Sequence, residues 1–337
     1  MVSRKEMARQ DGTAMPTASA PPPTPAACLP GYVRFPLLIV LSLATSLSLL
    51  SATSEFIDPQ LREVSQSSSS NEDVKVLSSI AWKLTELSVA WFGNFDDIDL
   101  VALSVLTHAP WYYLLTTFYA VEPTTALLCL AIDALSLAGP TRLLRPRSPQ
   151  HNPRAPRAAV PNAAILADAQ TTFATALLAA AVHAVALFAA LQSFLPAFLA
   201  VRFDGLASLE AAHAATVPAL LAALVPVGFA AREFVLVPAL AARESSADAA
   251  RKAAAAFDPA TSGLREHLVH NLWWFGKGAR VLVKRAAVAA ALTAAHVGVH
   301  ASAMLRGGDV VGALGYAGVW VGAGVTTGVV YAWVENV

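Results

Sequence analysis

The chain has 337 residues, 56% hydrophobic and 14% charged, with a mean hydropathy of +0.54. That composition excludes an ordinary soluble domain and indicates a polytopic membrane protein. Lys plus Arg and Asp plus Glu both number 23, so no charge excess points to nucleic acid as a partner. Two cysteines, Cys28 in a polar tail and Cys129 in an apolar run, exclude a disulfide framework and give no basis for redox chemistry.

Residues 1–31 mix charges with PTASAPPPTPAA, a proline-rich stretch that cannot bury a core and reads as a disordered tail ahead of one membrane domain, 32–337. Residues 36–53 follow Arg34 and read as a signal anchor rather than a cleaved signal. A polar loop, 54–75, leads to VLSSIAWKLTELSVAWF at 76–92. There Leu77, Ile80, Ala81, Leu84, Leu87 and Trp91 share one helical face, with Lys83 and Glu86 off it. The segment is either an interfacial amphipathic helix or a short, marginal span.

Residues 100–140 are apolar throughout and as one helix would reach about 60 Å, twice the hydrocarbon thickness of a bilayer. The chain must turn back, and Glu122-Pro123 is the place: the residue before proline avoids helical geometry, and proline suits the first turn of the next helix. Further spans are expected at about 169–199, long enough to be tilted, kinked near Pro196 or extended beyond the bilayer, then 214–231, 286–305 and 310–334. The fold class is therefore all-α, a transmembrane bundle of seven or eight spans, with the abundant alanine allowing close helix approach. The basic segments at about 141–160 and 231–285 should face the cytosol. Trp273, Trp274 and Phe275 beside Lys277, Arg280, Lys284 and Arg285 read as an interfacial belt. Arg232-Glu233 should snorkel and pair locally.

The ionisable groups inside the apolar body are the functional candidates. His108 lies 14 residues before Glu122 and Asp133 lies 11 after it, so on an antiparallel hairpin their depths differ by about 5 Å. His183 lies mid-span, and His296 and His300, four apart, share a face. A charged carboxylate at bilayer centre costs on the order of 3 kcal/mol, so such groups should face a bundle interior or a polar pocket. Asp133 is the strongest functional candidate, with His108 as its partner. Glu122 is either a second acid or a helix-start carboxylate. Trp111, Tyr112 and Tyr119 belong to either a pocket wall or plain packing, and His183 and His296 to either a pocket or helix-to-helix hydrogen bonding. His296 and His300 have the i, i+4 spacing of a zinc site, but no HExxH or clustered acid accompanies them, and no metal or other cofactor is expected.

The segment WYYLLTTFYAVEPTTALLCLAIDALSLAGPTRLLRP, with acids in the first helical hairpin of a small bundle, resembles the integral-membrane terpene cyclases of fungal meroterpenoid pathways. The resemblance is architectural and covers the helical body. It implies an enzyme of an endomembrane such as the endoplasmic reticulum, acting on a lipophilic prenylated aromatic, possible epoxide included, among membrane lipids. Asp133, with Glu122 and His108, would supply the proton chemistry, and Trp111, Tyr112, Tyr119, His183 and His296 would line the substrate site. A proton-coupled transporter, using the same mid-depth Asp and His residues, and a receptor or structural membrane protein are the alternatives.

Overall fold

The computed structural model describes residues 29–64, 72–156, 160–242, 263–264, 276–305 and 309–336. The N-terminal tail with Cys28, the aromatic run Trp273–Phe275 and most of 243–275 lie outside them. All the described regular elements are helical, and seven helices are long and apolar enough to cross a membrane. The long helices are α1 (Gly31–Val64), α2 (Glu72–Phe92), α3 (Asp97–Phe118), α4 (Pro123–Leu144), α5 (Ala169–Leu191), α6 (Val217–Ala231), α7 (Lys277–Met304) and α8 (Val310–Asn336). Helix α6 runs on through a π turn, Arg232–Leu236, to Ala242. Of the eight, α2 alone does not meet that criterion of length and hydropathy.

Local signals set the boundaries. α2 ends at Gly93-Asn94, where Asn94 takes a left-handed φ of 56°, a conformation asparagine tolerates. Asp96 then opens α3 with a reciprocal capping box to Asp99, satisfying amides that the helix cannot. Ala120, also left-handed at φ 56°, closes α3, and Pro123 begins α4 with Glu122 as its extended N-cap, as the sequence predicts. Helix α5 stops at Leu191, and a short helix, Leu195–Arg202, carries Pro196 in its first turn. Where the sequence suggests at most a kink, the helix is interrupted ahead of that proline, because proline suits a helix start and not an interior.

Side-chain contacts align the helix ends. Phe35 at the start of α1 packs on Trp91 and Phe92 at the end of α2. At the other end the Glu122 amide donates to the Gln60 side chain. α1 and α2 are thus antiparallel, and α2 runs the height of the bundle alongside the hairpin α3–α4. Helix α2 thus packs along the bundle, although it does not meet the criterion of length and hydropathy that the other seven meet. Helix α3 is central. One core, built on Trp111, Leu114, Leu115 and Phe118, fills the end near the α3–α4 turn, and a second, built on Phe95, Leu100, Leu103 and Phe234, fills the opposite, basic end. Helix α1 is peripheral.

Small residues bring α5 and α6 together. A Cβ on Gly228 would lie 2.2 Å from the Ala176 carbonyl oxygen, so only glycine permits this crossing. The glycines of α8 divide in use. Gly315 meets Phe198 and Gly328 meets Ala286, whereas Gly318 and Gly322 meet nothing and border an outward groove of about 820 Å³ between α5 and α8.

The structure shows how α2 is turned. Of its apolar face Leu77, Ile80 and Ala81 are exposed, Leu84 and Trp91 are half-buried and Leu87 is buried, while Trp82, Lys83, Glu86 and Ala90 are buried. Much of the apolar face points away from the bundle, and the charged residues point in. Beside lipid, the polar side of a helix must seek protein and the apolar side needs none, which inverts the rule for soluble proteins.

Candidate functional site: a buried polar cluster

Helices α2, α3, α4 and α7 each bring ionisable side chains to one level of the bundle. From α2, Lys83 donates to the Ser136 hydroxyl at 2.7 Å and lies 3.8 Å from Asp133 Oδ1. Tyr112 of α3 donates to Asp133 Oδ2 at 2.7 Å. His108 Nε2 stands 3.3 Å from Glu86 Oε1 and 3.9 Å from Asp133 Oδ2, so the depth count along the hairpin gives the right pairing. From α7, the ring of His296 lies 4.0 Å from that of His108 and stacks on that of His300 at 3.9 Å. Trp82 and Trp111 close the cluster edge-on and tilted against these histidines.

The tautomer of His108 follows from its neighbours. Nδ1 lies 2.9 Å from the Ser104 carbonyl, which can only accept; Nδ1 therefore carries the hydrogen in the neutral ring, leaving the Nε2 lone pair toward Glu86. His300 Nδ1 is likewise committed to the His296 carbonyl at 3.0 Å. Two residues are less well served. Glu86 Oε2 and both ring nitrogens of His296 are buried with no protein partner, and such groups are costly in a bundle interior.

Not every candidate belongs to this site. Glu122 is exposed at the α3–α4 turn, where Thr124 donates to its carboxylate; it occupies the N-cap position of α4 without a side-chain cap bond, well removed from Asp133. Tyr119 is buried near the same turn and its hydroxyl donates to the Asp204 carbonyl. His183 packs on Trp320 and donates through Nδ1 to the Ala179 carbonyl, beside a separate cavity of about 40 Å³. His108, Asp133, Tyr112, Trp111 and His296 do come together. Lys83 and Glu86 were not candidates, because their helix was read by its apolar face; the i, i+3 spacing of Lys83 and Glu86, with Trp82 and Ala90 each four residues from Glu86, was the available signal.

A second polar group occupies the basic end. Asp96 Oδ2 accepts hydrogen bonds from the Ser148 amide and hydroxyl and from His151 Nδ1, the last at 2.8 Å. Asp97 pairs bidentately with Arg147, and Asp99 with Arg285, whose guanidinium lies against the edge-to-face pair of Phe95 and Phe234. Arg145 donates to the carbonyls of Ala90, Trp91 and Phe95 and stacks over Trp91, satisfying the last turn of α2. Arg232 is buried, ion-paired with Glu233 and bonded to Thr172. Local pairing was expected of it, and snorkelling is corrected to burial.

Burial is the largest influence on Asp96 and acts to raise it, but the bonds from His151, the Asp99 amide and Ser148 outweigh it and hold the carboxyl well below the usual range. Burial likewise acts to lower His151, and is outweighed by the bond to Asp96 and the charges of Asp96, Asp99 and Glu233, so that the imidazole lies above its ordinary value. Both shifts favour the charged form of the pair.

Comparison with known proteins yields one family. Residues 168–334, which comprise α5 to α8 and the segments between them, match the family described as Bouquet formation protein 3 C-terminal domain. No curated protein matches, and no solved structure does. The match is to a family other than the terpene cyclases and overturns that resemblance, together with the meroterpenoid chemistry it implied. The residues that suggested a cyclase, 107–146, lie outside the matched region. Their aromatic rings are explained by packing: Trp111, Phe118 and Tyr119 are buried members of the core at the α3–α4 turn.

Proposed function

We propose that this chain is a non-catalytic integral protein of an endomembrane, the nuclear envelope, with a structural role in bouquet formation. The observation that carries this reading is the match of residues 168–334 to the Bouquet formation protein 3 C-terminal domain. The ion pairs support it. At both levels of the bundle the charged side chains are directed at one another, Asp97 at Arg147, Asp99 at Arg285 and Lys83 at Asp133, as befits groups that hold helices together. Seven apolar helices suit a lipid environment, and membrane lipids are the surroundings we assign to the outward faces of α1, α2 and α8.

The test is imaging of a fluorescent fusion expressed from the native locus, combined with deletion. A nuclear-rim signal, and loss of the meiotic chromosome bouquet in the deletion strain with restoration by the intact gene, are the expected results. Confinement of the fusion to another membrane, or normal bouquets in the deletion, would overturn the proposal.

A further inference from the structure

We propose that Glu86, His108 and His296 form a binding site for a divalent transition-metal ion of the zinc type, which clips α2 to α3 and α7. The three offer one ligand atom each, all within 4.8 Å of one another and all on buried side chains. Two metal–ligand bonds of about 2.1 Å at a tetrahedral angle place their outer atoms about 3.4 Å apart. Glu86 Oε1 and His108 Nε2 stand at 3.3 Å.

The second shell agrees at His108. A histidine that binds metal through one nitrogen usually donates from the other to a carbonyl or carboxylate, which fixes both ring and tautomer. His108 does this through Nδ1 to the Ser104 carbonyl and so presents the Nε2 lone pair to the centre of the group. Independently, Glu86 Oε2 and both His296 nitrogens are buried and unpartnered. A single proton on His108 would balance Lys83, Glu86 and Asp133 in charge, but it would leave those three atoms without a bond. A metal ion engages a His296 nitrogen and the Glu86 carboxylate together. Lys83 is no obstacle, since it is directed at Ser136 and Asp133.

The ligand types select the ion. Two imidazoles and one carboxylate suit zinc and its first-row neighbours, whereas calcium and magnesium take oxygen sets. Three protein ligands leave a fourth position for water. The site lies on helices α2, α3 and α7, of which α7 alone is within the family match, and it adds a metal requirement to the chain irrespective of any role in bouquet formation.

The experiment uses the full chain, purified in detergent with a tag free of histidine. Elemental analysis should find about one zinc per chain. After chelation the thermal midpoint should fall, then recover on titration with zinc chloride, and cobalt(II) chloride should give the intense visible absorption of tetrahedral cobalt. Glu86→Gln and His296→Phe should weaken cobalt binding about tenfold or more, while His183→Asn, at the buried histidine outside the group, should bind as the parent does. A parent chain with no stoichiometric zinc, no cobalt spectrum and no zinc-dependent shift in midpoint would overturn the site, and that measurement decides even where the variants do not fold. Undiminished binding in folded Glu86→Gln and His296→Phe would also overturn it. Metal content is read on the isolated chain, so its failure leaves the bouquet reading to be judged by imaging alone.

Discussion

Tyr112 donates a 2.7 Å hydrogen bond to Asp133 across the α3–α4 hairpin, and the other oxygen of that carboxylate faces Lys83 on α2 at 3.8 Å. One acid therefore joins three helices, which explains why an apolar stretch retains it. The side chain of Asp133 is a quarter exposed while that of Lys83 is nearly enclosed, so removing the acid, which strands the enclosed ammonium, does the greater harm. Asp133→Asn should destabilise the folded protein by about 3 kcal/mol, near the lower end for a broken buried pair. Adding Lys83→Met should return part of that loss, with a coupling of roughly 1–3 kcal/mol. Reversible unfolding in mixed micelles measures both, and strictly additive effects would show that the pair is not coupled.

The pair of Asp96 and His151 gives stability a dependence on pH with opposite signs at its two limits. His151 is raised in the fold, so its contribution is complete below about pH 6.5, the unfolded value, and is lost as pH rises through the folded value. Asp96 is depressed, so its contribution is complete above about pH 3.9 and is lost as pH falls through the folded value. The thermal midpoint should decline from pH 6 toward pH 9, and His151→Asn should flatten that limb. A parental slope in His151→Asn would assign the titration to another group.

Much of the architecture was legible in the sequence, since apolar run length and proline positions locate spans and turns with little tertiary information. Glu122-Pro123 illustrates this, and so does the common depth of His108 and Asp133. The facing of α2 was not legible by hydrophobicity, because its outward Leu77 and Ile80 meet the same apolar surroundings that a core would offer. The basic segment after α4 was read only as a count of charge. Its fold back onto Asp96 and Asp97 depends on residues some 50 positions away, which no local pattern reports. Glu122, Tyr119 and His183 were selected by residue type and depth, and chemistry of that kind does not say which helices will be neighbours.

The end of α3 offers a local test of backbone strain. Ala120 holds φ 56°, a left-handed conformation that costs a residue with a Cβ roughly 1–2 kcal/mol. Ala120→Gly should relieve that cost, offset in part by the greater freedom of glycine in the unfolded chain, for a net gain of about 0.5–1 kcal/mol. A loss of stability would show that the methyl group packs to more effect than the strain it imposes.

The antiparallel course of α1 and α2 predicts which residues share a side of the membrane. Arg154 is exposed in the basic segment after α4, and Asp73 is exposed at the start of α2, with the length of that helix between Asp73 and the basic end. Ser148 is unsuited to a reporter because it is bonded to Asp96. With Cys28 and Cys129 replaced, single cysteines at Arg154, Asp73 and the exposed Glu210 should divide under an impermeant thiol reagent in sealed vesicles. Positively charged segments are retained in the cytosol, so Arg154→Cys should be protected in vesicles of cytosol-inside orientation, and Asp73→Cys and Glu210→Cys labelled. Disruption of the vesicles should equalise all three. Labelling of Arg154→Cys with protection of the other two would reverse the orientation. Protection of Asp73→Cys together with Arg154→Cys would place both ends of α2 on one side, which is incompatible with a helix that runs the height of the bundle.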